Sequence, residues 1–122
     1  MMRNGAAPHI DFKDLAGKIT ENAAVLPSNV DFILERKGFF LLGEFKRPEE
    51  QLSRGQEILL EALSRQPRTK VFIAEGHSDG GTLVVNAITM IHGSERRTEA
   101  CDVEGFAKRV NQWYAAAGEN RA

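Results

Sequence analysis

The chain is nearly without cysteine: Cys101 is the only one in 122 residues. That excludes an intrachain disulfide and a cysteine-rich zinc site, and it fits a reducing cytosol. His9, His77 and His92 are scattered, none at metal-ligand spacing from another. No apolar run approaches the ~18 residues that a membrane span needs. Residues 1–8 lack the apolar stretch of a secretory signal and read as a loose terminus. Repeats, low-complexity tracts, a Walker-type loop and Ser-His or Cys-His nucleophile pairings are all missing. Charge of one sign is missing too. The net charge is −1 and the pI about 6.3, which excludes a uniformly basic nucleic-acid coat.

What is present is the composition of an ordinary globular domain, 42% hydrophobic and 27% charged. The length suits one domain with a real core, expected over 10–117, with a flexible N-terminus at 1–9 and a tail at 118–122. Charge is unevenly distributed. Residues 36–70 hold eight Lys/Arg against five Asp/Glu, whereas both flanking segments are weakly acidic. A weakly basic middle suits a surface that faces phosphates, and a mixed solvated surface explains it almost as well.

Periodicity organises the chain. Ile10, Leu15, Ile19, Ala23 and Leu26 recur every three to four positions, which predicts a first helix over 10–26, stopped by Pro27. Asn29–Glu35 and Phe39–Lys46 read as strands joined by a turn at Arg36-Lys37-Gly38. A helix is predicted from Glu49 to Arg65, with Leu52, Gln56, Leu59 and Leu63 on one stripe. Lys70–Glu75 and Thr82–Ile91 read as strands around a Gly-rich loop at 76–81. A last helix begins near Asp102, with Val103, Phe106, Val110, Trp113 and Ala117 on its apolar face. The expected class is α/β, in the order α-β-β-α-β-β-α, with a central mixed sheet covered by helices.

The chemistry is concentrated in the first strand pair. With Lys37-Gly38 as a two-residue tip, Arg36 faces Phe39, and the same register sets Asp31 opposite Glu44 with Cβ atoms roughly 5 Å apart. Lys46 lies two residues beyond Glu44 and points to the same face. Two adjacent carboxylates repel unless a cation sits between them, and hard oxygen ligands select Mg²⁺ or Mn²⁺. Such an ion can polarise a phosphoryl oxygen, and a neighbouring ammonium can stabilise developing negative charge.

Asp31, the run Glu44-Phe45-Lys46, Pro27 and the helix that follows resemble the PD-(D/E)XK nuclease superfamily. Within it the chain looks most like the small virus-type replication-repair nucleases and the Holliday-junction resolvases. The resemblance covers roughly residues 10–75, although Ser28-Asn29-Val30 separate Pro27 from Asp31. It implies a restriction-endonuclease-like core and Mg²⁺-dependent hydrolysis of DNA phosphodiester bonds. Asp31, Glu44 and the Phe45 carbonyl would be metal ligands, and Lys46 the catalytic lysine. It also implies a helix-borne glutamine at the site, here Gln56, for which a purely structural hydrogen bond is the competing role. Many relatives add an acid from the first helix. Glu21 is the best-placed candidate and Asp14 the next, and for Glu21 a solvated helix position competes.

Arg47, Arg54 and His77 could meet substrate or serve as plain surface. Trp113 and Tyr114 suit packing or a dimer contact. A homodimer is expected, since so small a domain has little surface to grip a duplex. A phage or mobile-element origin fits the size, and a cytoplasmic location is expected, that of the host cell if the protein is phage-encoded. The alternative is a non-catalytic nucleic-acid-binding or assembly module that retains the nuclease fold, or a subunit that cleaves only with a partner.

Overall fold

Lys37 and Gly38 both adopt positive φ, 52° and 82°, the backbone of a two-residue type I′ turn whose twist suits a hairpin. This turn joins β1 (Phe32–Arg36) to β2 (Phe39–Lys46) in the computed structural model, which describes residues 12–24 and 27–122. The pairing is antiparallel with Arg36 opposite Phe39 and Phe32 opposite Gly43, the register read from the sequence. Gly43 is required by that register: a Cβ there would overlap the Phe32 ring.

After Pro48 the chain forms α1 (Arg54–Ser64), which crosses over to β3 (Thr69–Asp79). β3 pairs with β2 in parallel, so that Lys46 stands beside Glu75. β4 (Thr82–His92) and β5 (Glu95–Ala100) follow as antiparallel neighbours, and α2 (Val103–Gly118) closes the fold. The sheet has five strands in the order β1-β2-β3-β4-β5, with one parallel pair among antiparallel ones. The α/β class with a mixed sheet therefore holds.

The helices lie on opposite faces. α2 buries Trp113 and Ala117 against Phe39, Leu41, Phe72 and Ile88. α1 buries Leu60 against Val71, Ile73 and Ile91. Because α1 packs on β3 and β4, its side of the β1–β2 hairpin is left with Ile33 and Phe40 exposed. This is the face that carries Glu44 and Lys46.

Four sequence expectations are corrected. Residues 12–24 form no continuous helix: a short 3-10 turn spans Phe12–Leu15, and Gly17 at φ 76° leads into further turns. Residues 10, 11, 25 and 26 of that expected helix lie outside the described residues. The second helix starts at Arg54 rather than Glu49, because Ser53 accepts a hydrogen bond from the Gln56 N–H and caps it. Glu50 stays outside, accepting from the Arg47 N–H. The Gly-rich loop is shorter than expected. Strands continue to Asp79 and resume at Thr82, leaving Gly80-Gly81 as the turn and His77 on a strand. Finally, Glu95–Ala100 is an additional strand.

Candidate functional site

The site is built on the end of the hairpin. Asp31 directly precedes β1, and its N–H donates at 3.0 Å to the carbonyl of Gly43, the residue paired with Phe32. The strand pairing ends at that pair, and the Asp31 side chain meets Glu44 through a shared hydrogen bond. The Asp31 carboxylate then accepts from the Phe45 N–H at 2.8 Å through Oδ2. Since Phe45 turns its N–H toward the β1 side, and a residue in an extended strand presents its C=O to the same edge, the Phe45 carbonyl faces that side as well.

Glu44 is buried, with 6% of its surface exposed. Burial, then a hydrogen bond shared with Asp31, then the like charge of Asp31, push its pKa up to about 8. The pair thus holds a proton at neutral pH where both groups would otherwise be ionised. A divalent cation relieves the same repulsion that the proton relieves, and two carboxylates with a backbone carbonyl are a hard oxygen donor set. The residues present fit such an ion.

Lys46 shares the Glu44 face of β2. Its ammonium forms an ion pair with Glu75 at 2.9 Å and also donates to the Glu50 carbonyl at 3.3 Å. Among the described residues its ion-pair partner is therefore Glu75, rather than Asp31 or Glu44. A small cavity of about 310 Å³ opens beside Lys46, lined also by Glu50, Glu57, Thr89, Arg96 and Thr98. Arg96 reaches into this region from β5 and pairs with Glu57 at 3.0 Å and Glu61 at 3.4 Å.

The other expected residues are not gathered here. Gln56 completes a capping box: its side-chain oxygen accepts from the Ser53 N–H at 3.1 Å, the structural role that competed with a site role. Glu21 lies exposed in a turn and not on a helix. Among the described residues no group of three or more His, Cys, Asp or Glu side chains is placed to hold a metal, so neither Glu21 nor Asp14 joins the carboxylate pair. His77 is exposed on β3, Trp113 is core, and Tyr114 lies exposed under the Arg36 guanidinium, 4.2 Å from its ring centre.

Glu75 was not singled out from the sequence. The signal was its place at the end of the apolar run VFIA, on a strand that pairs in parallel with the Lys46 strand. Likewise Ser53-x-x-Gln56 is a legible capping box that fixes the helix start.

Among the described residues no helix is long and apolar enough to cross a membrane. Comparison with protein-family models, with curated proteins and with solved structures returns no match for this chain.

Proposed function

We propose that this chain is a divalent-metal-dependent nuclease of restriction-endonuclease-like architecture, hydrolysing phosphodiester bonds in DNA as a resolvase- or repair-type endonuclease. The observation that carries this reading is the juxtaposition of Asp31 and Glu44 at the hairpin end, on the face that also bears Lys46. Asp31, Glu44 and the Phe45 carbonyl would hold Mg²⁺ or Mn²⁺. When bound, the ion would supply Lewis-acid polarisation of a phosphoryl oxygen and acidification of water.

The chain's own residues do the rest. The Phe45 N–H fixes the Asp31 carboxylate in place beside Glu44, with which it shares a hydrogen bond that a bound ion would replace. Burial of Glu44 keeps water from competing for its carboxylate. The Lys46 ammonium, held by Glu75, offers positive charge to the negative charge that builds at phosphorus. Gln56 would reach the site only by leaving its cap.

The chain is expected to act as a cytoplasmic homodimer, an arrangement that brings two such sites to two strands. Ile33, 57% exposed, and Phe40 share one face of the edge hairpin and give it an apolar surface suited to self-association. One observation favours the second reading, a non-catalytic nucleic-acid-binding module: Lys46 is already neutralised by Glu75. A cleavage panel separates the two, using plasmid, linear duplex, branched and single-stranded DNA with Mg²⁺ or Mn²⁺. Activity lost with EDTA, Asp31→Ala and Lys46→Ala supports the nuclease. Activity that survives all three, or inactivity on every substrate, overturns it.

A further inference from the structure

A second, roomier depression lies elsewhere among the described residues. A groove of about 890 Å³ lies where α1 ends, β3 begins and β4 turns into β5. From Lys70, on its wall, to Glu75 beside Lys46 is five residues along β3, about 17 Å at strand rise, so this groove is separate from the carboxylate pair.

Its charge is one-sided. Seven Lys or Arg side chains line it against a single carboxylate side chain, Glu95. Some of these cations are neutralised within the fold: Glu99 clamps Arg109, Glu57 and Glu61 hold Arg96, and Glu119 holds Arg121. Arg65, Arg68 and Lys70 form no ion pair among the described residues. Two of them are nevertheless positioned. Arg65 lies over Gly93 in the β4–β5 turn, where an added Cβ would come 3.2 Å from its Nε. Arg68 lies over the Phe39 ring, 5.2 Å from its centre. Arg97, with its side chain 78% exposed, extends the same rim but pairs with Glu99 at 3.5 Å, so the uncompensated charge is that of Arg65, Arg68 and Lys70.

Guanidinium groups held by stacking and backbone contact, with their charge left uncompensated, are arranged for planar, multidentate anions. Several of them along one groove match a chain of regularly spaced phosphates better than a lone ion. We propose that this groove binds the phosphodiester backbone of DNA, as a second contact surface remote from the carboxylate pair. The choice of DNA over other polyanions rests on the function proposed above, while the groove's affinity for phosphate chains does not require a working catalytic site.

The test is fluorescence anisotropy of a labelled duplex oligonucleotide against the full chain in EDTA, from ~50 to 200 mM salt. The variant Arg65→Gln/Arg68→Gln/Lys70→Gln is compared with Lys108→Gln, which removes an exposed cation of α2 outside the groove, and thermal melts confirm that both are folded. The groove variant is expected to bind about tenfold or more weakly, with a log–log salt slope shallower by about 2 to 3, one phosphate contact per cation removed. Lys108→Gln is expected to bind as the parent does. Equal affinity and slope in the groove variant would overturn the proposal, as would absence of binding by the parent at ~50 mM salt, or polyglutamate competing as well as unlabelled DNA. Binding that depends on the groove together with no cleavage under any metal would instead remove the nuclease reading and leave the groove standing.

Discussion

Phe45 donates its backbone N–H to Asp31 Oδ2 at 2.8 Å, tying the end of β2 to the residue that opens β1. The bond makes the Asp31 carboxylate part of the sheet's own ladder. It fixes an acid against Glu44 that would otherwise be free to rotate into water. Glu44, buried on the same face, cannot escape the resulting repulsion and keeps a proton instead.

Metal binding follows from that geometry. Mn²⁺ is expected to raise the melting temperature, and at about a hundredfold excess over Kd the stabilisation reaches ~2.7 kcal/mol. Asp31→Ala should abolish the shift. A Mn²⁺-induced shift of parental size in Asp31→Ala, read by calorimetry, would place the ion elsewhere.

Without metal, stability should depend on pH through Glu44. The folded side chain keeps its proton to about pH 8, whereas an unperturbed glutamate loses it near pH 4.5. Between those values the native state binds more protons than the unfolded chain, so this contribution is full below the lower value and is lost as pH rises through the upper one. The slope is at most about 1.4 kcal/mol per pH unit. Urea melts in EDTA at acid, neutral and alkaline pH should show it, and Glu44→Gln should flatten that part of the profile. A parental profile in Glu44→Gln would assign the effect to another group.

How much of this was legible beforehand differs from element to element. Lys37-Gly38 between two apolar runs specifies a hairpin and its register as far as Phe32–Gly43, and the Phe45 N–H bond to Asp31, which the sequence does not show, holds that carboxylate beside Glu44. β5 was illegible because Glu95–Ala100 is an exposed edge strand, and its charged residues give no alternation to read. The first helix failed for the opposite reason. Its apolar spacing is helical, but Gly17 at φ 76° interrupts the backbone, and spacing is blind to that. The Lys46–Glu75 ion pair depends on a parallel pairing across α1, a long-range contact that no local pattern encodes.

Gly43 should tolerate no side chain. Gly43→Ala drives a methyl into the Phe32 ring, which packs against Phe45 and Phe106. A loss of about 1–3 kcal/mol is expected. Adding Phe32→Ala should cost less than the sum of the single changes. Additive losses in denaturant titrations would show that the clash is relieved in some other way.

The two possible duties of Gln56 separate cleanly. Gln56→Ala is expected to lower stability by up to about 1 kcal/mol, as the loss of a helix cap does. It should leave Mn²⁺ affinity unchanged. A weakened Mn²⁺ titration with an unaltered melt would return Gln56 to the carboxylate pair.

The parallel pairing of β2 with β3 has a kinetic meaning. β3, β4 and β5 follow one another through short turns and can assemble as a local meander, whereas the β1–β2 hairpin must find its place across the whole α1 crossover. The acids of the candidate site ride on the piece whose docking depends on that long-range pairing. Their amides are expected to exchange with deuterium ahead of those in the β3–β4 ladder.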